Sequence, residues 1–83
     1  ESPLTLFADE ILFKERDGIS YWTLSLEAYA VIQANRKEGI RDIDVSRFRL
    51  IKDQINWDKV ITLGRKMNEE RVKEFIKLVN SPT

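Results

Sequence analysis

The sequence predicts an α+β fold that is mostly helical, with an N-terminal β-hairpin packed on three to four short helices. An Asp-Gly pair separates two runs rich in β-branched and aromatic residues, 11–16 and 19–24, which is the strongest short-range signal for a hairpin. After residue 24, apolar residues recur at helical spacing. Ser and Asn precede several of these segments, as helix N-caps do. A small all-α bundle is the alternative, in which residues 4–15 are helical.

The two-residue loop Asp17-Gly18 fixes a register for the predicted hairpin. An isolated hairpin is marginal in water, so we expect it to pack on the helices that follow. Upstream, Ser2-Pro3 predicts a first helical turn. The expected pairs are Arg16 with Ile19, Lys14 with Tyr21, Phe13 with Trp22, and Ile11 with Leu24.

Four capping side chains predict where the helices begin: Ser25, Asp44, Asn56 and Asn68. We expect helices over 26–38, from 45 to about 55, from 57 to about 67, and from 69 to just before Pro82. Gly39 supplies the left-handed position after the first of these. Gly64 lies inside the third, where glycine costs about 1 kcal/mol relative to alanine, and it indicates close packing or a bend. The predicted inward residues of the last three helices are Val45, Phe48, Ile51, Ile55, Val60, Ile61, Met67, Val72, Phe75, Ile76 and Val79.

The chain has 83 residues, of which 42% are hydrophobic and 34% charged, as is typical of one globular domain. We therefore treat residues 1–83 as a single domain. Its ends, Glu-Ser-Pro and Asn-Ser-Pro-Thr, favour turns. They suggest a domain excised from a longer chain.

The absence of Cys and His excludes disulfides, tetrahedral zinc sites and the Ser-His-Asp triad. We expect no enzymatic activity, no metal and no cofactor. Asp42 and Asp44 form the best carboxylate pair, which an extended chain would place on one face for Mg²⁺ or Ca²⁺. Our preferred interpretation gives Asp42 a turn and Asp44 an N-cap.

No apolar run in the sequence approaches the roughly 20 residues that span a bilayer, and no segment has the pattern of a signal peptide. We therefore expect no membrane association. With the lack of Cys, this indicates an intracellular protein.

The zero net charge hides a division between the two halves of the chain. Residues 1–35 carry two basic and six acidic side chains, and residues 36–83 carry twelve and eight, which gives −4 and +4. A basic half suggests a nucleic-acid-binding domain as one candidate function. The residues that would contact phosphates are Arg47, Arg49, Lys52, Arg65 and Lys66.

The other candidate function, which we prefer, is a non-catalytic protein-binding domain. Its partner would be another protein or a second copy of this chain. Core packing is the first expectation for both Trp22 and Trp57, although Trp57, in the first turn of a helix, is a candidate interface residue. Leu4 and Phe7 belong to an apolar group near the chain end that could dock on a partner.

Overall fold

The computed structural model describes residues 3–81, and the side chains of residues 5–81. It confirms the α+β fold class, with an N-terminal hairpin followed by four helices. In the described part of the chain, no helix combines the length and apolar character needed to cross a membrane. The elements are α1 (Pro3–Leu6), a 3-10 turn (Ala8–Glu10), β1 (Ile11–Arg16), β2 (Ile19–Leu24), α2 (Leu26–Ala34), α3 (Asp42–Ile51), a second 3-10 turn (Lys52–Gln54), α4 (Trp57–Gly64) and α5 (Glu69–Asn80).

The hairpin forms in the predicted register, from Ile11 opposite Leu24 to Arg16 opposite Ile19. Asp17 and Gly18 have φ values of 53° and 79°, the left-handed conformations that a type I′ turn requires. The all-α alternative is wrong, because residues 11–16 form a strand. The helical spacing before them yields only α1 and one 3-10 turn.

Three of the four predicted caps are confirmed, and each side-chain oxygen accepts backbone N–H groups of the first turn. Ser25 Oγ accepts from Ala28 at 3.1 Å. Asn56 Oδ1 accepts from Lys59 at 3.2 Å. Asn68 Oδ1 accepts from residues 70 and 71 at 3.1 and 3.3 Å. These bonds satisfy donors that the helix itself leaves without partners.

The predicted Asp44 cap is wrong, since α3 begins at Asp42, three residues before its predicted start, and places Asp44 in its first turn. The side chain is 1% exposed. Arg41 donates to both of its carboxylate oxygens, Nε at 2.8 Å and Nη2 at 3.1 Å. This hydrogen-bonded pairing with Asp44 raises the pKa of Arg41. Asp44 therefore compensates its burial with a bidentate partner instead of capping the helix.

Helix α2 ends at Ala34, four residues before its predicted end. The side-chain amide of Asn35 donates to the Val31 carbonyl at 2.9 Å and accepts from the Asn68 N–H at 3.1 Å. It thus closes α2 and ties it to the start of α5. Gly39, at φ 98°, lies in the following turn, where its N–H donates to the Arg36 carbonyl at 3.0 Å.

The core lies between helices α2 to α5, which we call the helical body. Phe48 is its centre, with ring centroids 5.8 Å from Tyr29 and 5.3 Å from Phe75. A Cβ added at Gly64 would meet Val72 Cγ1 and Cγ2 at 3.0 Å, so the predicted close packing at this glycine is confirmed. The buried apolar residues are Phe7, Ala28, Ala30, Val31, Ala34, Val45, Phe48, Ile55, Val60, Leu63, Val72, Phe75 and Val79.

Residues 11–24, which we call the hairpin arm, are joined to the helical body mainly at their base. Every residue from Leu12 to Trp22 is exposed, whereas Thr23 and Leu24 are half-buried. Leu24 packs against the core cluster. The expected packing of the hairpin on the helices is therefore limited to the base of the arm.

Candidate functional site

The hairpin arm presents two faces, because side chains alternate along each strand. The front face carries Phe13 and Trp22, with Ile11 and Leu24 nearer the base. The back face carries the other set of paired residues. Both faces contain large apolar side chains, so the arm has no clean division into a core side and a solvent side. The back-face residues are Leu12, Lys14, Arg16, Ile19, Tyr21 and Thr23.

Phe13 and Trp22 form an exposed aromatic pair on the front face. Their ring centroids are 4.8 Å apart at an interplanar angle of 61°, the edge-to-face geometry that aromatic rings prefer. Phe13 is 58% exposed and Trp22 69% exposed. The two rings present roughly 300 Å² to solvent, taking about 200–250 Å² for a whole aromatic side chain. An exposed apolar area of this size is comparable with the largest patch of an ordinary monomer, which is often a binding site.

The back face is exposed as well, and near the turn it combines apolar side chains with the cations Lys14 and Arg16. Ile19 is 67% exposed and Tyr21 40% exposed. Leu12 lies beyond Tyr21 toward the base. A partner that contacts either face would therefore meet apolar side chains held on two paired strands.

The base of the arm is fixed by a small polar cluster around Glu10. Its carboxylate oxygen Oε1 accepts from Ser25 Oγ at 2.8 Å and lies 2.7 Å from Lys59 Nζ of α4. The hydrogen bond from Lys59 lowers the pKa of Glu10, and the same contact raises the pKa of Lys59. The Ser25 N–H also donates to the Glu10 carbonyl at 2.9 Å. These contacts hold the two strand ends against α4.

Two shallow cavities flank the base of β2. The front cavity, of about 320 Å³, is lined by Ile11, Trp22, Thr23 and Leu24. The back cavity, of about 250 Å³, lies between the arm and the start of α2. Either could receive a side chain of a molecule bound to the arm. The residues lining the back cavity are Leu12, Lys14, Thr23, Leu24, Ser25, Leu26, Glu27 and Gln54.

The structure does not gather the predicted protein-binding residues on one surface. Phe7 is completely buried in the core, so it packs the domain and is not part of a surface. Trp57 is half-buried against the core, and its Nε1 donates to the Lys52 carbonyl at 3.1 Å. The side chain of Leu4 lies outside the described residues.

Three of the predicted basic residues lie near α5, Arg49 at its end and Arg65 and Lys66 before its start. Arg49 donates to the Leu78 carbonyl in the last turn of α5, at 2.9 Å from Nη2. Arg65 and Lys66 lie just before α5, where Arg65 pairs with Glu69 at 3.8 Å. Residues 68 and 78 are about 15 Å apart along a helix.

Two of these basic side chains also make contacts within the domain. Lys66 Nζ lies 3.3 Å from the Leu6 carbonyl and 5.8 Å from the centroid of the Phe7 ring. With Arg49 held by Leu78, these cations stabilise helix ends and the N-terminal segment. Arg47 and Lys52 are exposed on and just after α3.

The carboxylates of α3 do not form a cation site. Asp42 and Asp44 lie in one helical turn, and Asp44 is already paired with Arg41. Among residues 3–81, no group of three or more acidic side chains is placed to hold a metal ion.

Sequence reasoning missed Trp22 and Phe13 as surface residues. Core packing was the first expectation for Trp22, and that expectation is wrong. A usable signal was present: the predicted register puts large apolar side chains on both faces, whereas a two-stranded hairpin can bury only one against helices. One of the two faces, with its aromatic side chains, must therefore remain exposed.

Comparison of this chain with protein-family models, with curated protein sequences and with solved structures found no match.

Proposed function

We propose that this chain is a non-catalytic protein-binding domain and that the hairpin arm is its docking element. The observation that carries the proposal is the exposed pair of Phe13 and Trp22, which is 58% and 69% open to solvent. Aromatic side chains are enriched in the buried centres of protein interfaces. A partner that covers this pair would bury apolar area that the domain leaves in water.

Contacts within the arm and at its base support this role. The Phe13–Trp22 contact holds the rings against each other, and the Glu10 cluster holds the strand ends against α4. Side chains that are already ordered lose less conformational entropy when they bind. The arm therefore presents a preformed surface.

The front cavity gives the surface some shape. It lies beside Trp22 on residues of the two strands near their base, and its lining is apolar apart from Thr23. We expect a partner to place an apolar side chain there while it covers the Trp22 ring. Such an anchor in a pocket is the usual centre of binding energy.

Nucleic-acid binding has less support. Of the five basic residues that would contact phosphates, Arg49, Arg65 and Lys66 are engaged within the domain. An affinity for DNA or RNA that falls steeply with added salt, and that is lost in an Arg47→Glu, Lys52→Glu variant, would revive this alternative.

Site-specific photo-crosslinking in cells that produce the full protein tests the proposal. We replace Trp22 with p-benzoylphenylalanine and, as a matched control, replace Leu50 in the same way. Leu50 is 85% exposed on α3, so it exceeds Trp22 in exposure but lies off the arm. We expect a discrete protein adduct at position 22 and none at position 50.

The mass of the adduct distinguishes a second copy of the chain from a different protein, and either supports docking by the arm. Equal labelling at both positions, or no adduct at position 22, would refute it.

A further inference from the structure

The strand β2 has an outer edge on which backbone groups point away from β1. In a hairpin with a two-residue loop, the pair that flanks the loop, here Arg16 and Ile19, is hydrogen-bonded. Further from the loop, non-hydrogen-bonded and hydrogen-bonded pairs alternate. By this rule Glu10 and Ser25 also form a hydrogen-bonded pair, and the Ser25 N–H does donate to the Glu10 carbonyl. The N–H and C=O groups of Ser20 and Trp22 therefore point outward, and residues 3–81 form no third strand beside them.

The two edges of the arm differ in how well they resist strand addition. The β1 edge contains Lys14, Glu15 and Arg16 in succession, and charged side chains are a common protection of sheet edges. The β2 edge, Ile-Ser-Tyr-Trp-Thr-Leu, contains no charge and no proline. It is also rich in residues that favour strands. The unprotected edge is β2.

We propose that β2 pairs antiparallel with β2 of a second copy, which joins two arms into a four-stranded sheet. This inference rests on the proposed function, since it names the occupant of the same arm. Charge favours a copy as the occupant. An uncharged strand meets no like charge across a two-fold axis, and the chain as a whole has a net charge of zero, so two copies do not repel each other.

The alternation places the two-fold axis beside Tyr21. When Tyr21 lies opposite Tyr21 of the second copy, Ser20 of each chain lies opposite Trp22 of the other chain. All the outward N–H and C=O groups of these two residues then find partners. A register centred on Ser20 would pair Trp22 with the turn residue Gly18 and not with a strand residue. A register centred on Trp22 would pair Ser20 with Leu24, which is half-buried at the base.

The same register brings aromatic side chains together on both faces. On the back, the two Tyr21 rings are directly opposite in a non-hydrogen-bonded pair, where side chains are closest. On the front, the two Trp22 rings are diagonal neighbours, within reach of each other. The small side chain of Ser20 leaves room for the indole.

The size of this contact indicates a weak dimer. Tyr21 and Trp22 present roughly 250 Å² per copy at their exposed fractions of 40% and 69%, taking about 200–250 Å² for a whole side chain. That is far below the roughly 800 Å² per partner of a standard interface. We expect a dissociation constant above about 10 μM.

The matched variants Ser20→Pro and Glu15→Pro test the edge. These residues face each other across the hairpin, and both N–H groups point outward, so proline removes no bond between β1 and β2. Sedimentation equilibrium of the intact chain up to about 1 mM is the measurement. We expect Glu15→Pro to dimerise like the parent, and Ser20→Pro to raise the dissociation constant more than about tenfold.

A single-cysteine pair tests the register without altering the strand backbone. The chain has no native cysteine, so Tyr21→Cys can form a disulfide only with its copy. The expected Cα–Cα separation of a non-hydrogen-bonded pair, about 4.5 Å, suits a disulfide. Lys14→Cys, on the same face of β1, is the control. We expect oxidation to crosslink the first and leave the second monomeric.

The outcomes separate this inference from the proposed function. A parent chain that stays monomeric, equal effects of the two proline variants, or equal crosslinking of the two cysteine variants would each overturn the pairing of β2. Docking to a different protein would survive all three, because it is measured by the adduct at position 22. The proposed function is refuted instead by the crosslinking result, either no adduct at position 22 or equal labelling at positions 22 and 50.

Discussion

The helical body and the hairpin arm contain the same kinds of side chain and treat them in opposite ways. Phe48 and Phe75 pack against each other in the body and are 2% and 0% exposed. Phe13 and Trp22 pack against each other on the arm and remain mostly in solvent. The body therefore buries its phenylalanine rings in the core, whereas the arm leaves its aromatic rings in solvent, where a partner can contact them. This contrast predicts the largest losses of stability for substitutions in the body and the smallest for substitutions on the arm.

Phe48→Ala should have the largest effect. The ring contacts Tyr29 and Phe75 at the centre of the core, and removing such a ring costs about 3–5 kcal/mol of the free energy of unfolding. In a domain this small, that loss is a large part of the total. Urea denaturation measures it, with Phe13→Ala as the matched control on the arm. Similar losses for the two variants would contradict the contrast.

Gly64→Ala should come next, with a loss of about 1–3 kcal/mol from overpacking. The added Cβ would lie 3.0 Å from both methyl groups of Val72. Val72 is fully buried and β-branched, so it has little freedom to move aside. Gly64 is the last residue of α4, so the gain in helix propensity is at most about 1 kcal/mol and does not offset this clash.

The Val72→Ala background provides the check on Gly64. There the clash is removed, so we expect Gly64→Ala to become much less costly or stabilising. An unchanged penalty in that background would show that the α4–α5 contact is not its cause.

Glu10→Gln should lower the free energy of unfolding by about 1 kcal/mol at neutral pH, as expected for a partly buried ion pair. The folded-state pKa of Glu10 is lowered, so its contribution is present above the usual carboxyl pKa of about 4.5 and is lost as the pH falls through the lower folded value. The pKa of Lys59 is raised. Its contribution is present below about 10.5 and is lost as the pH rises through the raised value.

Denaturation of parent and variant at pH 7 and pH 3 measures this dependence. The difference between them should shrink at the lower pH, because the unfolded parent then binds a proton at Glu10 that the folded state, with its lowered pKa, binds less readily. Glu69→Gln, which affects the more exposed pairs with Lys73 at 3.5 Å and Arg65 at 3.8 Å, should change stability less. A difference that does not depend on pH would show that the charge of Glu10 is not what anchors the arm.

Trp22→Ser should have the smallest effect on the body, a change of no more than about 1 kcal/mol. The side chain is mostly in solvent and its main partner is Phe13. Hydrogen exchange can separate the regions: protection of α2 to α5 should persist while the arm opens more readily. Loss of protection throughout the body would mean that the arm is part of the core.

The sequence predicted the parts of the fold that are decided locally. The Asp17-Gly18 turn fixed the register because its left-handed backbone allows only one pairing. Ser25, Asn56 and Asn68 identified helix starts because a cap bonds to residues two or three positions away. Such interactions need no knowledge of the rest of the molecule.

The parts that failed depend on residues far apart in the chain. Asn35 ends α2 early because it reaches the start of α5. Asp44 is buried with a bidentate partner that precedes the helix, and only the whole fold decides that burial. The exposure of Trp22 depends on how the helices pack relative to the hairpin arm, and no local sequence pattern predicts that packing. The candidate site was therefore the part least accessible to sequence reasoning.

The division of the two tryptophans between the regions has a practical consequence. Trp22 is in water at the middle of the arm, and Trp57 is half-buried in the body with its indole N–H bonded to a carbonyl. Indole emission shifts with the polarity of its surroundings. The chain thus carries one intrinsic optical reporter for each region, and Trp→Phe at either position leaves the other to be observed alone.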